Sequence, residues 1–320
     1  MTKTTKKTSK TTTTKKAKTA PFDYSKNVSI VIPAYNEENG IAPTLKGLKK
    51  AVPNAEIIVI DDGSKDNTVE RVKSVKGIRL IKRKFNGGYG SALKTGMRVA
   101  TREYIAWFDA DNEHKSDDLV KIIQMIQDQN LAAVLTRRNS PGINNTRIIG
   151  KWVLRQIARL FNSKSNMDLN CGLRVFRRSI IEKYYNILPD KFSASTTSTM
   201  VMLEREYPIA FHDIDLNDRI GTSKVKLKDG FNTILLIFRI VMLFAPMRIF
   251  LPAGFALGVV GFLYSLFFVL FKGTGIPTAG SMTIILGVLF MLMGLVADQI
   301  SQMRLQQMIE GHDEFDEINT

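Results

Sequence analysis

The chain has 320 residues, a net charge of +15 and one cysteine, Cys171. A single cysteine excludes an internal disulfide and a cysteine-rich metal site, and three widely separated histidines do not make a zinc cluster. Any metal ion would therefore have to be bound by oxygen atoms.

A basic tail occupies the start of the chain: residues 1–20 contain seven lysines, nine threonines and no acidic residue. Because no large apolar residue follows Met1 in this segment, it cannot bury a core, and we predict that residues 1–24 are disordered. It lacks the apolar run of a secretory signal peptide. Its lysines would either keep the chain soluble or attract anionic lipid. The lack of aromatic residues for base stacking argues against a nucleic-acid partner.

From Asn27 to about Leu135, short β-branched runs alternate with amphipathic stretches. Continuous apolar strands separated by helices predict a mostly parallel sheet covered on both faces, that is, a Rossmann-like α/β domain. Ligands of such a domain bind at the carboxyl ends of the strands. The predicted elements are, in chain order, the strand Val28–Ile32, the helix Thr44–Ala51, the strand Ile57–Ile60, the helix Val69–Ser74, the strand Arg79–Ile81, the helix Ser91–Ala100 and the strand Tyr104–Phe108.

The last third of the chain is strongly apolar. Pro252–Phe271 is a run of 20 residues without a charge, and after Lys272 and a short loop a second uncharged run ends at Ala297. Each run is long enough to cross a hydrocarbon core of about 30 Å as a helix. Buried helices of a soluble protein are the alternative, but two adjacent runs of this length favour a transmembrane hairpin. Upstream, Phe231–Ala245 is too short to span and favours a helix lying in the headgroup layer.

Two carboxylates, Asp109 and Asp111, follow the last predicted strand of the α/β domain. Such a pair can approach one Mg²⁺ or Mn²⁺ ion, with substrate phosphates as further ligands. The metal then neutralises a diphosphate leaving group. Two aspartates at this spacing are also common in solvated loops, but their position directly after an apolar strand favours metal binding.

Polar residues also follow the first two strands. Glu37 comes after the first strand, and Asp61 and Asp62 come after the second, where carboxylates can accept hydrogen bonds from a ribose or a base. Asp66, by contrast, is interpreted as the N-cap of the next helix. The glycine-rich stretch Asn86–Ser91 precedes a helix and is a weak indication of a phosphate-binding loop.

Taken in this order, Ile30–Glu37 (IVIPAYNE), Asp61–Ser64 (DDGS) and Trp107–Asp111 (WFDAD) resemble family 2 glycosyltransferases of the GT-A fold. Within that family the chain is most similar to the polyprenyl-phosphate glycosyltransferases, the group of dolichol-phosphate mannose synthase, over about Asn27–Lys228. The resemblance implies a GT-A Rossmann-like domain, a UDP- or GDP-linked nucleotide sugar as donor, and a dolichyl or undecaprenyl phosphate as acceptor. It also implies metal-assisted displacement that inverts the anomeric centre.

The same resemblance implies site residues. Glu113 stands where the family has a glutamine close to the metal. The residues implied to hold Mg²⁺ or Mn²⁺ are Asp109, Asp111 and Glu113. The residues implied to bind the donor nucleotide are Pro33, Tyr35, Glu37, Asp61, Asp62, Gly88 and Ala110.

Basic residues predict the acceptor site, because arginine forks match phosphate with paired hydrogen bonds. A lipid monophosphate is already ionised at pH 7 and needs positioning more than deprotonation. If a base exists, Asp168 is the candidate. The residues predicted to bind the acceptor phosphate are Arg137, with Arg138 beside it, Arg174, Arg219, Ser223 and Lys224. The residues predicted to act in catalysis are Asp109, Asp111, Asp168, Arg174 and Arg219.

The predicted organisation is a disordered tail (1–24), a GT-A domain (25–228), an interfacial helix (229–247), two transmembrane helices (248–300) and a C-terminal tail (301–320), with the domain and both termini cytoplasmic. Two other functions remain open. One is a membrane glycosyltransferase acting on a sugar hydroxyl, which would need a general base. The other is a non-catalytic scaffold that binds nucleotide sugars. The sugar, the base, the isoprenoid and the oligomeric state are not specified by the sequence.

Overall fold

The computed structural model describes residues 23–139, 168, 171–191, 193–217, 238, 242, 245–273 and 275–309, with side chains as far as Arg304. These residues form an α/β domain followed by a helical hairpin. The predicted basic tail and most of the predicted interfacial helix Phe231–Ala245 lie outside the described residues, as do Arg219, Ser223 and Lys224.

Seven strands form one sheet. They are β1 (Val28–Ala34), β2 (Glu56–Asp61), β3 (Arg79–Lys82), β4 (Tyr104–Trp107), β5 (Ala133–Arg138), β6 (Arg174–Arg177) and β7 (Ile209–Ile214). Their order across the sheet is β3-β2-β1-β4-β6-β5-β7. Strand β6 runs antiparallel to both of its neighbours, whereas the other pairs are parallel. The sheet is therefore mostly parallel, as the sequence predicts.

Helices accompany the strands in an alternating order. They are α1 (Ile41–Ala51), α2 (Thr68–Lys73), α3 (Tyr89–Val99), α4 (Ser116–Asp128), α5 (Arg178–Ile181) and α6 (Ala194–Glu204), with short 3-10 turns at Tyr24–Asn27 and Glu182–Tyr184. All predicted strands and helices between residues 28 and 108 are confirmed, with ends shifted by at most three residues.

The central strand β1 shows why the sheet is buried on both sides. All seven of its residues are buried. Because side chains alternate along a strand, Ile30 and Ile32 pack with α1 and α4, while Val31 packs on the other face with α3. Because β1, β2 and β4 run parallel to one another, the loops that follow them emerge together at one edge of the sheet. We call this the catalytic edge.

The C-terminal hairpin consists of α7 (Met247–Lys272) and α8 (Thr278–Ile309). Both helices are long and apolar enough to cross a membrane, and only 17% of the residues in each apolar stretch are buried. The predicted pair of membrane helices is confirmed as a hairpin. Helix α8 continues to Ile309, beyond the predicted end of the membrane segment at residue 300.

Glycines form the contact between the two hairpin helices. A Cβ atom added at Gly254 would lie 2.6 Å from the carbonyl oxygen of Gly287, and one at Gly261 would lie 2.9 Å from that of Gly280. A Cβ at Gly280 would overlap the Ser265 hydroxyl. Small residues therefore allow the two backbones to approach closely, as is usual between membrane helices.

Candidate active site

The aspartate pair lies on the catalytic edge, directly after β4. The amide of Phe108 still donates to the Val31 carbonyl at 3.1 Å, so the chain leaves the sheet at Asp109. Asp109 accepts hydrogen bonds on both carboxylate oxygens, from the Tyr89 hydroxyl at 3.0 Å and from His114 Nε2 at 3.1 Å. Burial alone would raise the pKa of Asp109, but these hydrogen bonds and the charge of His114 hold it below its ordinary value.

Asp111 stands in a different environment from Asp109. Its carboxylate accepts the Glu113 amide at 3.1 Å, and Asn112 between them adopts a left-handed conformation, with φ of 62°. Burial raises the pKa of Asp111 to about 6, and the negative charges of Asp109 and Glu113 contribute to the rise. Three acidic groups are thus crowded at one loop, which is the environment that a cation would relieve.

Two glycines leave room for the aspartate loop. A Cβ at Gly172 would overlap the Asp109 carboxylate. A Cβ at Gly40 would lie 2.8 Å from the Ala110 carbonyl oxygen and 2.9 Å from Asp111 Cα. Ala110 itself is buried. Sequence reasoning assigned no role to Tyr89, His114, Gly40 or Gly172 as supports of the pair. The glycine pattern could have indicated close packing, but the partner could not be read from it.

The predicted donor residues of the first loop gather on the same edge. Pro33 is buried within β1, and Tyr35 follows it with 39% of its surface exposed. The Glu37 amide donates to the Thr68 hydroxyl at 2.8 Å, which ties this loop to the start of α2.

Asp61 and Asp62 have different surroundings. Asp61 is fully buried; its Oδ1 accepts the Ser64 amide, and its Oδ2 has no hydrogen-bond partner among the described residues. A buried carboxylate oxygen of this kind is suited to a ligand donor. Asp62 instead accepts from the amides of Gly87 and Gly88 and pairs with Arg83 at 2.7 Å. These bonds organise the glycine-rich loop, and the role of Asp62 in donor binding stays a prediction.

The glycine-rich loop also differs from the prediction. The Gly88 amide donates to Asp62, while the amides of Gly90 and Ser91 donate to the carbonyls of Lys191 and Asp190. These amides are not free to bind a phosphate. Gly88, with φ of 97°, and Gly90 are needed because the loop packs closely against the backbone of residues 189–191.

Arg174 is buried, and its charge acts on Tyr89 and Asp109 at the catalytic edge. It has no exposed surface, and its guanidinium donates to the Cys171 carbonyl at 2.7 Å and to the Thr199 hydroxyl at 2.5 Å. Its pairing with Trp107 places its backbone at the end of β4, where the chain turns towards Asp109. These hydrogen bonds support the site from inside the core, and the contact between Arg174 and an acceptor phosphate stays a prediction.

The two consecutive arginines of β5 point to opposite sides because strand side chains alternate. Arg137 forms two hydrogen bonds with Asp213, at 2.7 and 2.9 Å, and packs on Phe211. Arg138 pairs with Asp168, and its charge lowers the pKa of Asp109. Arg138, like Arg174, is thus close enough to Asp109 for its charge to act on it. Asp168, predicted as a candidate base, is engaged by that guanidinium.

With this geometry established, the chain can be compared with known proteins. Residues 29–185 match the family model Glycosyl transferase family 2, and residues 245–303 match the model GtrB C-terminal hairpin. The chain belongs to glycosyl transferase family 2. It is a glycosyltransferase with a membrane hairpin at its C-terminal end.

Two relatives show the extent of the similarity to family 2 members. An uncharacterized protein of Methanocaldococcus jannaschii is 32% identical over 167 residues, which cover 48% of this chain and 72% of that protein. The undecaprenyl-phosphate 4-deoxy-4-formamido-L-arabinose transferase of Pectobacterium atrosepticum is 28% identical over 295 residues, 85% of each chain.

A solved structure supports the fold. Glucosyl-3-phosphoglycerate synthase from Mycobacterium tuberculosis, in complex with Mn²⁺, UDP-glucose and phosphoglyceric acid, is similar with a TM-score of 0.55 at 18% identity, over 67% of this chain and 79% of that chain. The GT-A fold of this family 2 domain is therefore confirmed.

Proposed function

We propose that this glycosyltransferase moves a sugar from a nucleotide sugar to a polyprenyl phosphate at the cytoplasmic surface of the membrane. The observation that carries the proposal is the joining, in one chain, of an aspartate-bearing GT-A edge to a hairpin of the GtrB type. The Pectobacterium relative, whose name specifies an undecaprenyl phosphate acceptor, aligns across both parts. The hairpin would keep the site beside the headgroup of a lipid acceptor.

We propose that a divalent ion, Mg²⁺ or Mn²⁺, assists the reaction. In the described part of the chain, no three His, Cys, Asp or Glu side chains come together as a metal-binding group. Asp111, with Glu113 and Asp109 nearby, offers carboxylate oxygens but not a full ligand set, so the donor diphosphate would complete it. The ion would supply electrostatic stabilisation of the leaving diphosphate.

The chemistry of an ionised phosphate acceptor matches the surroundings of the site. Helix α6 lies next to Tyr89, which is hydrogen-bonded to Ser195. Asp168 is paired with Arg138 and is not poised to remove a proton. A phosphate nucleophile needs no strong base, whereas a sugar hydroxyl does. This contrast favours the lipid phosphate over a sugar hydroxyl.

The test uses the full-length protein in detergent. It is incubated with UDP- and GDP-linked sugars, with undecaprenyl or dolichyl phosphate, and with Mg²⁺ or Mn²⁺. Mass spectrometry is expected to show a lipid monophosphate sugar. Formation of a product only when a glycolipid or saccharide hydroxyl is supplied would contradict the acceptor assignment. Donor hydrolysis without any transfer would do the same.

A further inference from the structure

A cavity of about 290 Å³ lies along the glycine-rich loop, lined by Asn86, Gly87, Gly88, Tyr89 and Lys191. The Tyr89 hydroxyl, on the loop that lines this cavity, contacts the Asp109 carboxylate at 3.0 Å. One residue, Tyr89, therefore both lines the cavity and contacts the aspartate pair.

Most of the loop's backbone amides are already engaged. The amides of Gly87 and Gly88 donate to Asp62, and those of Gly90 and Ser91 donate to backbone carbonyls. A phosphate in this cavity would therefore depend on a side chain for most of its binding.

Three cationic side chains surround the loop, and two of them are neutralised. Arg83 pairs with Asp62 at 2.7 Å, and Lys94 pairs with Asp190 at 2.5 Å. Lys191 is exposed and has no carboxylate partner among the residues that the structure describes. It is the cation of this group whose charge is still available.

The position of Lys191 is fixed by its backbone. Its carbonyl accepts the Gly90 amide at 3.2 Å, and the neighbouring Asp190 carbonyl accepts the Ser91 amide at 2.7 Å. A Cβ at Gly88 would lie 3.2 Å from Lys191 Cα and 3.3 Å from its Cγ, so the lysine stem rests against the glycine. The loop therefore contacts Lys191 through Gly88 and Gly90, and it contacts Asp109 through Tyr89.

We infer that Lys191 binds a phosphate group of the donor's diphosphate in this cavity. The inference rests on the proposed function, since it assigns the ligand of the same site. Lysine acts as a point charge toward phosphate and can follow it as negative charge develops on the leaving group. The glycines are then required because they let the segment that carries Lys191 pack closely against the loop, and not because their amides bind the anion.

The test measures binding of UDP and GDP, and of uridine and guanosine, to full-length protein in detergent by calorimetry. Lys191→Gln is expected to lower the affinity for whichever diphosphate binds, UDP or GDP, by about tenfold, because one charge-assisted hydrogen bond is lost. The affinity for the corresponding nucleoside is expected to stay unchanged. Lys191→Arg is expected to restore most of the affinity. The control is Lys84→Gln, at an exposed lysine outside the cavity lining, which is expected to bind like the wild type.

The outcomes separate this inference from the proposed function. Equal loss of nucleoside and nucleotide binding would show a packing role and overturn it. So would unchanged diphosphate affinity in Lys191→Gln, or a defect confined to the KM of the polyprenyl phosphate. If the wild-type protein binds neither diphosphate, the proposed function fails first and the inference fails with it. Thermal midpoints of all variants are compared with that of the wild type to confirm folding.

Discussion

In the α/β domain the interior is filled by branched and aromatic side chains, whereas the hairpin helices touch through glycines and turn their large side chains outwards. Leu45 is fully buried, but Leu289 of α8 is 50% exposed. The domain also buries charge, since Arg174 lies entirely inside it. Burial from water stabilises the domain, while close backbone packing holds the hairpin together because lipid is as apolar as leucine.

The largest effect is expected at Asp111, which we propose to act in the reaction and which contributes little to the packing of either region. Asp111→Asn should reduce turnover at least about 100-fold, because the developing charge of the diphosphate loses its stabilisation. The thermal midpoint should stay the same or rise, since a carboxylate crowded by Asp109 and Glu113 is neutralised. Turnover and thermal unfolding are measured on the same preparation. A collapse of stability would show that Asp111 is structural.

Arg174 tests the buried charge of the domain. Arg174→Ala removes the donor to the Cys171 carbonyl and the Thr199 hydroxyl and should lower the free energy of unfolding by about 1–3 kcal/mol, because buried acceptors are left unsatisfied. Arg177→Ala is the control on the same strand: its pair with Glu103 at 3.4 Å is exposed and should be worth at most about 1 kcal/mol. Urea unfolding gives both values. Equal stability of the two variants would show that the buried hydrogen bonds of Arg174 contribute little to the stability of the domain.

The two leucines test the difference in packing directly. Leu45→Ala should destabilise the domain by about 2–5 kcal/mol, because a cavity remains in a closed core. Leu289→Ala should change the stability of the hairpin little, because this side chain contacts lipid both in the packed hairpin and when the helices are separated. Thermal unfolding in detergent compares them. A large loss at Leu289 would indicate that this face is covered by protein.

Adding a side chain at a glycine of the hairpin, instead of removing one, is expected to give the smallest effect on stability. Gly287→Val should destabilise the hairpin by about 1–3 kcal/mol, because a Cβ there lies 2.6 Å from the Gly254 carbonyl oxygen and 2.8 Å from the Gly258 nitrogen. In Gly258→Val the Cβ meets no atom within 4 Å, so this variant is the matched control. Faster hydrogen exchange in α8 of the first variant alone is the expected result.

The strands and helices up to β4 could be predicted because each depends on local signals, apolar runs for strands and amphipathic runs for helices. The antiparallel strand β6 could not, because its partner Tyr104–Trp107 lies about seventy residues earlier in the chain. Nothing local in the sequence from 174 to 177 indicates which strand it joins or in which direction.

The site was predicted in part for the same reason. The aspartate pair could be recognised because it follows an apolar strand. Tyr89 and Gly172 reach Asp109 only through tertiary packing, and the contact of His114, five residues after Asp109, depends on how the loop turns, so their roles did not appear in the sequence. Arginine identity alone also did not reveal that Arg174 is buried and hydrogen-bonded inside the core.

The lengths of the hairpin helices affect the distance between the catalytic edge and the surface of the membrane. Helix α7 has 26 residues and α8 has 32, which makes them about 39 and 48 Å long. A hydrocarbon core is about 30 Å thick, so α8 extends well beyond it, and this helix contacts the turn Glu182–Tyr184 of the domain. Mismatch between helix and bilayer is absorbed by tilt or by local thinning and thickening. If the hairpin spans the bilayer, we expect a thicker hydrocarbon core to bring the domain closer to the headgroups and a thinner one to leave it further away, wherever tilt does not absorb the difference.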